Sequence, residues 1–91
     1  MFTRNYLVIY DIGDDKRRKK LVKLLEKYGF RVQYSAFECV LNLSSKHELI
    51  KEMDKLKEDK DSIRLYKLPK SVYIIGKGEE NFNGIPNLLF L

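Results

Sequence analysis

The chain has 91 residues, a formal net charge of +5, one cysteine and no tryptophan. That length accommodates one hydrophobic core and excludes a second, which needs roughly 50 residues of its own, and a domain this small buries only about 60–65% of its unfolded surface, which favours a partner subunit. Apolar runs fall short of the roughly 18 residues of a membrane span, and the lone Cys39 excludes an intrachain disulfide or a multi-cysteine zinc cage, so the expectation is a cytoplasmic, membrane-free protein with a buried thiol.

The amino terminus is too short and wrongly flanked for a signal peptide, because it leads at once into Tyr6-Leu7-Val8-Ile9-Tyr10. Residues 5–10 form a continuous apolar and aromatic run, which predicts a central strand covered on both faces and ending at Asp11. Gly13 interrupts it. Asp14 or Asp15 then supplies a helix N-cap, and Leu21, Val22, Leu24, Leu25 and Tyr28 recur at helical spacing until Gly29 offers a stop. Arg18 stands three and four residues before Leu21 and Val22, at the rim of that stripe, and is expected to point along the sheet edge toward Asp11.

The excess positive charge is confined to this first third. Residues 1–34 carry nine Lys/Arg against four Asp/Glu, whereas residues 35–91 carry nine of each. Lys16, Arg17, Arg18, Lys19 and Lys20 open the first helix, so folding concentrates cations on one face, as binding to a polyanion requires; a plainly solvated face accounts for the charge equally well.

Residues 31–43 read as extended, with Val32, Tyr34 and Ala36 on one parity and Phe37, Cys39, Leu41 and Leu43 on the other. The flip near Ser35 and Ala36 predicts two short paired strands joined by a tight turn. Ser45 with Glu48 three residues later matches a capping box, and Leu49, Ile50, Met53 and Leu56 give a second helical stripe, with His47 at the surface and Met53 in the core. Residues 62–68 form a strand pattern closed by Pro69, and residues 72–76 form another, followed by a Gly76-Lys77-Gly78 turn and an apolar end at residues 88–91. The order is βαββαβ with extra carboxy-terminal strand material. This predicts an α+β, ferredoxin-like sandwich forming a single domain over residues 1–91.

Three patches add a family signal. Tyr10-Asp11-Ile12-Gly13-Asp14-Asp15-Lys16-Arg17-Arg18-Lys19-Lys20, then Leu25-Glu26-Lys27-Tyr28-Gly29, then Arg31-Val32-Gln33-Tyr34-Ser35-Ala36-Phe37-Glu38 resemble, in order and spacing, the CRISPR-associated protein 2 family, the small core subunit of spacer acquisition. The resemblance implies a ferredoxin-like homodimer in which the carboxy-terminal segment, about residues 70–91, crosses to the partner subunit. It implies a divalent-metal site at Asp11, with Arg18 and Arg31 as catalytic companions and Tyr10, Ser35 and Phe37 in support. Lys16, Arg17, Lys19 and Lys20 are then expected on phosphate, although Lys20 stands where some relatives carry arginine and so lacks the planar fork. The implied partners are an integrase subunit and double-stranded DNA or single-stranded RNA.

A lone carboxylate makes a poor magnesium site, since that ion is held octahedrally by oxygen ligands. A two-fold axis brings two Asp11 side chains together, so the expectation is magnesium or manganese shared between subunits, serving phosphodiester cleavage. Alternatives remain: a catalytically silent scaffold, a ferredoxin-like regulatory dimer that binds a small ligand, or an Asp11 that merely caps the Gly13 turn or pairs with Arg31.

Overall fold

Alternation of side chains along the strands decides the layering. A computed structural model describes residues 2–69. Its order is β1 (Arg4–Asp11), α1 (Asp15–Glu26), β2 (Gly29–Gln33), β3 (Ala36–Leu41), α2 (Leu43–Leu56) and β4 (Ser62–Lys67). The strands form one sheet in the order β2-β3-β1-β4, with every neighbour antiparallel. This is the ferredoxin-like arrangement expected from the sequence.

In β1, Tyr6, Val8 and Tyr10 turn toward the helices and join Phe37, Cys39 and Leu41 of β3, Leu21 and Leu25 of α1, and Leu49 and Met53 of α2 in the main core. Leu7 faces the other way and forms a second cluster with Val32 and Ala36, against which Ile9, Phe30 and Leu68 pack. The central strand is thus apolar on both faces, with Leu7 buried on the second face and Ile9 there only partly buried.

Several local expectations shift. α1 is capped by Asp14, whose carboxylate accepts from the Arg17 N–H at 2.9 Å, and it stops at Lys27. Gly29 is therefore not a helix stop but the first residue of β2. It must be glycine because a Cβ there would lie 1.8 Å from the Glu38 carbonyl oxygen. Leu43 opens α2 instead of ending a strand, and it is exposed. The capping box lies one turn earlier than Ser45 and Glu48 suggest. Asn42 is the N-cap and accepts from the Ser45 N–H at 2.7 Å, while the Asn42 N–H donates to Ser45 Oγ at 2.9 Å. Leu49 and Met53 are buried as expected, but Ile50 faces solvent. β4 ends at Lys67, before Pro69. No helix among the described residues is long and apolar enough to cross a membrane. The strand expected at residues 72–76, the turn at residues 76–78, the apolar end and the crossing of residues 70–91 lie outside the described residues.

Candidate functional site

One end of the sheet gathers the carboxy-terminal tip of β1, the turn between β2 and β3, the start of α1 and the start of β4. β1 is apolar from Tyr6 through Tyr10, and Asp11 is the first residue after that run to stand exposed. Asp11 pairs across the strands with Ser62. By alternation it shares a sheet face with Leu7 and Ile9, away from the helices. Among the described residues Asp11 makes no hydrogen bond or ion pair. The Gly13 N–H turns instead to Asp61 Oδ1 at 3.4 Å.

Tyr10 and Phe37 are core residues, 3% and 1% exposed, with ring centroids 6.5 Å apart. The Tyr10 hydroxyl donates to the Tyr34 carbonyl at 3.2 Å, and the Tyr10 N–H donates to the Ser35 carbonyl at 3.0 Å. Tyr10 thus positions the β2–β3 turn from within, while Phe37 packs in the core beside it. Ser35 is half-buried there. Arg18 reaches back from the first turn of α1 and donates to the Ile12 carbonyl at 3.1 Å while pairing with Asp15, which places its guanidinium at the loop that follows Asp11.

Arg31 stands elsewhere. Its guanidinium carbon lies 5.6 Å from the Phe37 ring centre on the helix face. Arg31 pairs with Phe37, and Phe37 with Val8. It is therefore two strands across and three residues back from Asp11, about 10 Å in each direction and on the opposite face. Within one chain it does not join Asp11.

The cation that does share Asp11's face is Arg64, which the sequence reading did not single out. Ile63 and Leu65 pack on the main core, so Ser62, Arg64 and Tyr66 turn outward, and Arg64 pairs with Ile9 as a diagonal neighbour of Asp11. Arg64 Nη1 donates to the Tyr66 hydroxyl at 3.4 Å, a contact that raises its pKa further. Period-two alternation across residues 62–67 held the signal.

A family model described as CRISPR associated protein Cas2 matches residues 4–79. The chain belongs to the Cas2 family. A CRISPR-associated endoribonuclease Cas2 from Synechocystis is 53% identical over 64 residues, covering 69% of this chain and 70% of that protein. The crystal structure of Streptococcus pyogenes Cas2 superposes with a TM-score of 0.69 at 33% identity, covering 79% of this chain and 99% of that one. A chain of a partial Cas6-RT-Cas1–Cas2 complex gives 0.66 at 38% identity, covering 74% of this chain and 80% of that one.

In this Cas2 family member the basic residues of α1 separate into two groups. Lys16, Lys19 and Lys20 are exposed. Arg17 is engaged: Nε and Nη2 donate to the two oxygens of Asp61 at 3.0 and 3.1 Å, and Nη1 lies 3.3 Å from Glu58 and 3.9 Å from Asp14. The clasp joins α1 to the loop before β4, so Arg17 serves the fold and stands apart from the free lysines. At the strand tip of this Cas2 chain the Asp11 carboxylate is the side chain that would offer oxygen to a divalent cation. No group of three or more His, Cys, Asp or Glu that would hold a metal occurs among the described residues. The donor chemistry fits magnesium or manganese only when a second chain adds its own Asp11.

Proposed function

We propose that this chain works as a homodimeric nucleic-acid-binding subunit of CRISPR spacer acquisition and that paired Asp11 carboxylates make it a magnesium- or manganese-dependent endonuclease. The observation that carries the reading is Asp11 itself, an exposed carboxylate at a strand tip, unpaired among the described residues and diagonal to Arg64. An isologous two-fold interface sets residues near its axis against their own copies, so dimerisation through this face with Asp11 near the axis supplies the second carboxylate. The relatives named endoribonuclease support phosphodiester cleavage, and the neighbour from a Cas1–Cas2 complex supports assembly with a Cas1 subunit.

A bound divalent metal would supply activation of water at neutral pH and neutralisation of phosphate charge. Asp11 holds it, and Arg64 offers a guanidinium to the non-bridging phosphate oxygens on the same face. Arg18 fixes the Ile12 carbonyl and so the loop that carries Asp11. Tyr10 and Ser35 hold the adjoining turn.

Asp11→Asn, assayed with single-stranded RNA, single-stranded DNA and duplex DNA in magnesium and in chelator, tests this. The expected result is lost cleavage with duplex binding retained. Cleavage that survives both the substitution and the chelator overturns the metal reading. A silent scaffold is the second reading, favoured by the exposure of Lys16, Lys19 and Lys20 on a helix remote from Asp11's face; binding without cleavage by the unsubstituted protein selects it.

A further inference from the structure

The helix side of the molecule carries a depression that the Asp11 chemistry does not use. It lies between α1 and β2, has a volume of about 330 Å³, and is lined by Arg18, Lys19, Val22, Lys23, Arg31 and Tyr34. That volume falls in the roughly 300–1,000 Å³ range of clefts that take small ligands. Its exposed lining is largely apolar, yet four of its six residues end in cations and none is a carboxylate, so a flat apolar group that carries negative charge beside it is favoured. Arg18 is already held by Ile12 and Asp15, which leaves Lys19, Lys23 and Arg31 for an incoming charge.

The depression also has an aromatic wall. Tyr34 is 73% exposed, although most other large apolar and aromatic side chains here are buried or half-buried. The Tyr34 ring stands on a turn that is pinned through its own backbone. The Tyr34 carbonyl accepts from the buried Tyr10 hydroxyl at 3.2 Å, and the neighbouring Ser35 carbonyl accepts from the Tyr10 N–H. The turn is thus anchored while the ring stays free. Arg31 is likewise placed in advance, its guanidinium over the Phe37 ring at 5.6 Å with its N–H edges unengaged among the described residues. A flat π face beside three available cations is the chemistry that recognises a nucleobase together with its phosphates.

We infer that the α1–β2 depression binds an unpaired nucleotide of single-stranded nucleic acid, with its base stacked on Tyr34 and its flanking phosphates on Lys19, Lys23 and Arg31. The inference rests on the nucleic-acid reading above and adds to it a preference for unpaired bases. In a duplex the bases are stacked on one another and present only backbone and groove edges, so Tyr34 has nothing to stack on. The phosphates of either form still meet the cations.

The test compares a labelled single strand, an abasic strand of the same phosphate count and a duplex, with Asp11→Asn present throughout so that cleavage does not intervene. The parent is expected to prefer the base-bearing strand over the abasic one. Tyr34→Ala should weaken the base-bearing strand by about 5- to 150-fold, erase that preference and leave duplex affinity unchanged. Tyr34→Phe, which keeps the ring, should retain it. Because the Tyr34 side chain is exposed and its bond to Tyr10 is made by the backbone, both variants should fold as the parent does. Equal affinity for base-bearing and abasic strands in the parent, or an equal loss on all three ligands in Tyr34→Ala, overturns the stacking site while the nucleic-acid reading stands. No binding to any of the three overturns both.

Discussion

Arg17 clasps Asp61 across 44 positions of sequence, its Nε and Nη2 donating at 3.0 and 3.1 Å to both oxygens of a side chain that is 1% exposed. The same carboxylate accepts from the Glu58 N–H at 2.9 Å and the Gly13 N–H. The loop that follows Asp11 and the loop that precedes Ser62, its cross-strand partner, therefore hang on one side chain.

That clasp sets an acid limit. The hydrogen bond from Arg17 and the backbone bond from Glu58 hold Asp61 below its ordinary value of 3.8. The unfolded carboxylate protonates first as pH falls, so the clasp is at full strength above an unfolded pKa of about 4 and is lost as pH drops through the folded value. Asp61→Asn is expected to lower Tm at pH 7, with the deficit shrinking below about pH 4. Thermal melts across that range check it, and a deficit of constant size sinks it.

The same pairing predicts which basic residues meet phosphate. Lys16, Lys19 and Lys20 are exposed, whereas Arg17 is only 22% exposed at its side chain and faces carboxylates. Each lysine that contacts a duplex phosphate contributes about 0.9 to the slope of log affinity against log salt. Neutralising the three lysines together should flatten the slope; Arg17→Gln, measured where it remains folded, should leave it unchanged. The reverse pattern would place the nucleic acid on the other side of α1.

Two glycines are expected to respond in opposite ways. At Gly29 a Cβ meets the Glu38 carbonyl oxygen at 1.8 Å and the Cys39 Cα at 2.7 Å, all rigid backbone, while at Gly13 nothing lies within 4 Å. Gly29→Ala must push β2 from β3 and should cost about 1–3 kcal/mol or more. Gly13→Ala should stay within about 0.5 kcal/mol. Urea midpoints for the two variants decide the matter, and similar values would mean that the β2–β3 spacing relaxes freely.

Cys39 sets the alkaline counterpart. Burial, with a smaller contribution from Glu38, pushes its thiol up to about 12. The unfolded thiol ionises from about pH 8.5, so the unfolded chain loses its proton first and stability falls as pH rises from there toward the folded value. Cys39 should resist alkylation at pH 8 until denaturant is added, and Cys39→Ala should flatten the alkaline limb of stability. Rapid alkylation of the folded protein would contradict the burial.

How much was legible depended on how local the signal was. The first strand, the Leu21 and Leu25 stripe of α1 and the Phe37-Cys39-Leu41 parity of β3 all follow from the period of one element, and each appears where the pattern places it. The α2 cap was less legible, because Asn42 and Ser45 satisfy the same geometry as Ser45 and Glu48 one turn away, and only the backbone chose between them. At the site, Asp11 was visible as the first charged residue after an apolar strand, and Arg18 as a helix-start residue, which the structure bonds to the Ile12 carbonyl.

By itself the sequence determined the element order, the buried faces, the family signal and a cationic first helix, since periodicity and net charge are summed along the chain. Only the tertiary structure decided that Arg17 belongs to Asp61, that Arg31 and Asp11 lie on opposite faces, and that Arg64 stands beside Asp11. Those relationships depend on strand register, and register is fixed by packing between residues far apart in sequence, which composition and spacing do not carry.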